Sequence, residues 1–393
     1  MMQSEIQLPP RLMVYPPSLV LKGLEWAGEP AKYPGTGSDM HWCAWGDDDA
    51  MYFVDDDGAN FGSKPNFANL LRATGTPPNF KLELVSQFPG LKRHNSRKLR
   101  YVDGALALGS RLFVAAYDYD FSDPGREVHT IGEDQMDAFI ANPTEAFFIN
   151  AISRHSGVAA LMYSDDYGKT WQNLPDEHTP NFLGPRFAGL AFVGFGKGYS
   201  GVPAWLGDYV YAISNDESWE SGNHVFLARV SKDRLLDRTA WQFYAGGGHV
   251  GNPVWLPDEV DARPILSDPG HVGHPTMTYN PRLKRFLLCF GSDIVPHSHA
   301  TPRDFARAHW HRQRELHVYE SSSPWGPWYL VHYDSCWEGE HVAYLPQMPA
   351  KWLHEDGLGG TLVFSGDYSM TPRMSGYQSY YGFMTRSFRL IPR

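Results

Sequence analysis

The chain alternates short apolar stretches of strand length with clusters of turn residues, and sustained 3.6-residue periodicity is scarce. Punctuation by 38 Gly and 30 Pro fits many short strands joined by tight turns. The best helical pattern is GEDQMDAFIANPTEAFFINAIS (132–153), which reads as part of an insertion over 121–156. This pattern predicts an all-β sandwich, barrel or propeller.

An internal repeat decides among these. A hydrophobic strand runs into an acidic residue five times: MYFVDDD (51–57), LFVAAYD (112–118), VYAISNDE (210–217), FLLCFGSD (286–293) and TLVFSGD (361–367). Each follows an upstream strand through a turn and precedes a third strand. A fourth strand follows in four units: KLELVSQF (81–88), KTWQNL (169–174), AWQFYAG (240–246) and WYLVHYD (328–334). The last unit reaches the C-terminus without one, and LMVYPPSLVLKGLEW (12–26) can supply it from the other end of the chain. The expected fold is a five-bladed β-propeller with four-stranded blades, one domain over 1–393, closed by the N-terminal strand. A seven-bladed ring is the alternative. HSHATPRDFARAHWHR (297–312) lies in an expected surface-loop insertion over 294–313. SDDYGKTW (164–171) resembles the Asp-box of sialidases and related propellers, a folding turn in which Gly permits the reversal and Asp bonds the backbone.

Composition narrows the function. Hydrophobic residues make up 42% and aromatic residues 14%, enough for a large core. Thirteen Trp and 21 Tyr leave rings to spare for the C–H faces of sugars. A net charge of −10 excludes a basic nucleic-acid footprint. The three cysteines show neither a disulfide framework nor a zinc spacing. No apolar run is long enough to span a membrane, and MMQSEIQLPPRLMVYPP lacks the charged and apolar regions of a signal peptide. A soluble protein is expected; a secreted or periplasmic location would require a leader already removed.

In a propeller hairpin, the start of the innermost strand and the end of the second lie side by side and open on one face. In the first unit this sets Asp39 beside Asp55, Asp56 or Asp57, with His41 and Trp42 next to it. The other units add Asp118, Asp216 or Glu217, Asp293 and Asp367 to the same rim. A ring of carboxylates suits glycosidic chemistry, which needs two of them flanking the bond. Asp47, Asp48 and Asp49 fall in the turn at the opposite face and read as turn formers. The loops RHNSRK (93–98), DPGHVGHP (268–275) and EGEHVAYLPQ (338–347) open on the rim and add Arg93, His94, Arg97, Lys98, His271, His274, Glu340 and His341. Arg and His there would suit an anionic sugar. No cofactor or metal is expected apart from a structural calcium, which strand-end carboxylates could ligate; His271 and His274 lack an evident third ligand for a transition metal.

The phrases SDMHWCAWGDDDAMYFVDDDG, DYVYAISND, VFLARVSKDRLLDRTAWQFYAG, HPTMTYNPRLKRFLLCFG and SPWGPWYLV resemble bacterial proteins of the domain-of-unknown-function 4185 type. That group is similar to glycoside hydrolase family 183, whose members act as endo-D-arabinanases. The resemblance implies two catalytic aspartates in the first blade, matched by Asp39 and Asp57. Asp-Asp-Asp-Gly replaces the usual Gly-Asp at the second position, so Asp55 and Asp56 compete for that role.

Three functions follow from these residues. A glycoside hydrolase would use Asp39 with Asp57 or Asp56. A polysaccharide lyase would remove a C5 proton from a uronate with a His or Tyr, drawing on His94, Arg97, Tyr101, His271 and Tyr279. A non-catalytic propeller would only bind glycan. In each case the partner is a poly- or oligosaccharide, with neither nucleic acid nor membrane involved.

Overall fold

A computed structural model describes residues 13–56, 58–63, 68–88, 98–120, 155–176, 178–187, 189–216, 222–248, 252–293, 314–339, 342–367 and 381–393. The strands form five antiparallel sheets, one for each sequence repeat. They are the blades of a five-bladed β-propeller, and the seven-bladed alternative is set aside.

Blade 1 runs outward through Asp39–Trp45, Met51–Asp56, Asn69–Thr76 and Asn79–Gln87. Blade 4 repeats the plan with Thr276–Asn280, Arg285–Asp293, Arg314–Ser321 and Tyr329–Asp334. The middle strands are buried along their length because neighbouring blades cover both their faces. All six residues of Met51–Asp56 and all eight of Arg314–Ser321 are buried.

Blade 3 is wider than expected. Gln242–Gly247 is followed by Pro253–Leu256, and Leu266–Val272 pairs with the third strand Gly222–Ser231. Blade 2 is narrower. Lys98–Leu108, Arg111–Asp120 and His155–Ser164 form a three-stranded sheet, and the expected fourth strand KTWQNL contributes only the bridge Tyr163↔Gln172. Asn173 takes a left-handed backbone (φ 59°) and Pro175 follows, so the ladder cannot continue.

Blade 5 joins the two ends of the chain. Val342–Gln347, Gly359–Asp367 and Phe383–Pro392 are completed by Leu21–Trp26, with Leu24 opposite Leu390. Leu21, Leu24 and Leu390 are buried in the core between blades 4 and 5. The ring is therefore closed by pairing of the two strands within one sheet, with Leu21–Trp26 as its outer strand.

The Asp-box turn is built as its sequence implies. Asp166 Oδ1 accepts from the Thr170 backbone N–H (2.9 Å), Oδ2 accepts from the Thr170 hydroxyl (2.7 Å), and Trp171 packs on Phe88. No described helix is long and apolar enough to cross a membrane. The expected insertions lie outside the described residues, apart from His155 and Ser156, which begin a strand.

Candidate active site

The first hairpin sets Asp39 directly opposite Asp56. Register then slips by one residue, so that Trp42 rather than His41 lies opposite Val54. This β-bulge is centred on Met40, held in the left-handed region at φ 58°, with its N–H bound to Ser365 Oγ (2.8 Å). Asp39 and Asp56 thus share a face with Trp42, while Asp55 and His41 point to the other. The hairpin turn at the opposite end is closed by Asp48, which accepts from the Ala50 N–H, the Tyr52 hydroxyl and Arg72.

Both carboxyl groups of the pair are nearly enclosed, at 3% exposure each. Asp39 Oδ2 accepts the Tyr344 hydroxyl across the ring from blade 5 (2.7 Å). Asp56 takes the Val102 backbone N–H of blade 2 between its two oxygens (3.1 and 3.0 Å). The strands supplying these partners are bulged as well: Leu345 has φ 49° beside a register slip after Tyr344, and Gly104 has φ 25° beside one after Asp103. A Cβ on Gly104 would meet the Leu190 carbonyl oxygen at 2.2 Å, so only glycine fits there. Three adjacent innermost strands are bent at one level, and a polar residue precedes each bend.

Asp55 is fully buried and receives Asn60 Nδ2 (2.8 Å) and Asn69 Nδ2 (2.7 Å). Burial pushes its carboxyl well above the usual range despite these bonds. His41 lies 3.7 Å from it and packs on Phe383; burial lowers its imidazole to about 3. This corrects the expectation for His41: fully buried and facing away from Asp39, it is not placed to touch substrate. Trp42 is buried and walls the channel, edge-on to His274 at 5.6 Å.

Asp216 stands at the rim, but its carboxylate is taken up by the Asn223 and His224 backbone N–H groups (2.6 and 2.9 Å) and by Asn223 Nδ2. Those bonds tie it to the start of the third strand, where a ligand contact was expected. His271 binds Glu315 Oε2 through Nδ1 (2.7 Å). Tyr101 stacks on Tyr117. Tyr279 is at the wrong end for the lyase set: it pairs with Phe286 beside the turn of blade 4 and packs on Phe195. Asp118 lies two residues before the end of its second strand, opposite Arg100, and Asp367 ends its own opposite Val342, but their side chains lie outside the described ones. Asp57, His94, Arg97, Glu217 and Glu340 lie outside the described residues, as do Arg93 and His341. Below this level the channel is lined by all five innermost strands, from Trp42–Trp45 through Gly104–Ala107, Ala191–Gly196 and Thr276–Thr278 to Gln347. Among the described residues no cluster of His, Cys, Asp or Glu could hold a metal ion.

Tyr344, Glu315 and Asp103 were not anticipated from the sequence. Asp103 is fully buried in the innermost strand of blade 2. One of its oxygens accepts the Leu190 N–H (3.1 Å) and the other has no partner. Its place just before a glycine in the innermost strand is the one local signal that could have found it.

The family model for the domain of unknown function 4185 matches residues 148–334. A search of curated proteins gives no match. Among solved structures, a candidate hydrolase from Bacteroides ovatus is similar at 12% identity and a TM-score of 0.50, covering 92% of this chain and 87% of that one. The GH43_1 enzyme from Xanthomonas citri follows at 10% identity and 0.45, covering 92% and 89%. An α-L-arabinofuranosidase from Podospora anserina, solved with cellotriose, gives 10% and 0.42, covering 91% and 93%.

Proposed function

We propose that this chain is a glycoside hydrolase that cleaves a poly- or oligosaccharide at the mouth of the propeller channel, with Asp39 and Asp56 as its paired carboxylates. The observation that carries this reading is their cross-strand register at the mouth. Residues directly opposite in an antiparallel pair have Cβ atoms about 4.5–5.5 Å apart. That spacing suits the double-displacement mechanism, in which carboxyl groups stand about 5–5.5 Å apart. One carboxylate attacks the anomeric carbon while the other protonates the leaving oxygen and then draws a proton from the incoming water. The product would retain its anomeric configuration. The resemblance to endo-D-arabinanases favours a furanoside polymer, and it nominates Asp57 for the place that the register gives to Asp56.

A panel of arabinan, xylan and uronate-containing polysaccharides, followed by reducing-end release, tests this reading. Asp39→Asn and Asp56→Asn should each lower kcat at least about 100-fold, with Asp57→Asn as the comparison. Product absorbing at about 235 nm would indicate β-elimination at the same mouth. Full activity in both the Asp39 and Asp56 variants would remove the carboxylate pair from the mechanism.

A further inference from the structure

A second polar cluster lies at the same end of the ring, between blades 3 and 4. Glu315 is almost fully buried and gathers four donors from among the described residues. Oε2 receives His271 Nδ1 (2.7 Å), the Ser292 hydroxyl (2.8 Å) and His317 Nε2 (3.1 Å), and Oε1 receives the Tyr333 hydroxyl (2.5 Å). Burial alone would raise this carboxyl; the bonds from His271 and His317 outweigh it and hold the group well below the usual carboxylate range. It is therefore a fixed anion. An anion at Nδ1 fixes the imidazole tautomer with its proton on that nitrogen and leaves the lone pair on Nε2.

His271 differs from the other histidines of the region. It is 9% exposed, while His274 is at 4% and both His41 and His317 are at 0%. Among the described residues no hydrogen bond engages its Nε2. The cluster also adjoins the carboxylate pair. Ser292 follows Gly291, which packs beside the backbone of Tyr344, 3.7 Å from where a Cβ would be. Tyr344 in turn holds Asp39.

We infer that His271, oriented by Glu315, contacts the substrate beside the carboxylate pair and accepts a hydrogen bond from a sugar hydroxyl at Nε2. The contact rests on reading the mouth as a sugar site; the orientation does not. Glu315 acts as a positioning residue and does not touch sugar. Carboxylate-fixed imidazoles serve in this manner wherever one ring nitrogen must face a hydroxyl in a single protonation state.

Three measurements test the inference. Long-range ¹⁵N spectra of the wild-type protein should show His271 protonated at Nδ1 near neutral pH, and Glu315→Gln should mix the tautomers; a proton on Nε2 in the wild type overturns it, whether or not the variant folds. Carbethoxylation followed by peptide mass spectrometry should modify His271 ahead of His41, His274 and His317. Arabino- or xylo-oligosaccharides should slow that modification, and no protection by any glycan of the panel overturns the inference. On a cleaved substrate, His271→Ala should raise KM about tenfold, the worth of one hydrogen bond, with a smaller effect on kcat. An unchanged KM beside an inactive Asp39→Asn variant would sink the His271 contact and leave the carboxylate pair standing. Protection at His271 beside a fully active Asp39→Asn variant would do the reverse.

Discussion

Replacing Asp103 with Asn should make the propeller more stable as pH rises. Asp103 is fully buried, with a single hydrogen bond from the Leu190 N–H, and burial raises its carboxyl well above the usual value. The native state therefore keeps a proton that the unfolded chain loses above about pH 3.9. A raised carboxyl contributes stability that is complete below the unfolded value and is lost as pH climbs toward the native one. The loss runs at about 1.4 kcal/mol for every pH unit between those two points. Asn is nearly isosteric, can keep the Leu190 bond through its oxygen, and carries no such linkage. The two proteins should match within about 1 kcal/mol near pH 4 and diverge above it at that slope, with the variant the more stable. Denaturant midpoints at half-unit steps from pH 4 to pH 8 are the assay; melting temperatures move only roughly 1 °C per kcal/mol in a chain of 393 residues. Parallel curves across that range would refute the reasoning, because they would mean that Asp103 is already ionised in the fold.

Further outcomes follow from the same geometry. Tyr344→Phe removes a buried donor from Asp39 and should cost about 1.5–3 kcal/mol of stability, with a fall in kcat larger than any change in KM, read from denaturant midpoints and steady-state kinetics. His41 is held neutral by burial, with its value lowered from 6.5 to about 3. The wild type should therefore lose up to about 1.4 kcal/mol per pH unit as pH falls from 6.5 toward 3, and the stability gap to His41→Gln should narrow over that interval. Gly168→Ala places a methyl 1.9 Å from Leu70 Cδ2 at φ +88°; calorimetry should report a destabilised Asp-box turn, by roughly 1–3 kcal/mol.

The architecture was legible because it is carried by local pattern. Each second strand is an apolar run of blade length ending in an acidic residue, and the missing outer strand of the last repeat could be found by asking which segment was left over. The site was legible only in part. Strict alternation from Asp39 would put His41 on the same face, yet the extra residue at Met40 hands that face to Trp42. A bulge of one residue depends on what the next blade presses against the strand, and no local composition announces it. The same is true of Asp55 and Asp56, identical in sequence and opposite in environment. Tyr344 reaches Asp39 across 305 residues of chain, and Glu315 sits in a strand whose neighbours disguise it as one more core position.

The seam in blade 5 also constrains how the molecule can be made. Its outermost strand, Leu21–Trp26, leaves the ribosome long before its partner Phe383–Pro392. The earlier segment must wait, with Leu21 and Leu24 unshielded, through the synthesis of residues 27–382. Nascent chains should thus depend on a holding factor or on rapid translation, and a chain stalled before residue 383 should remain sensitive to protease around residues 21–26.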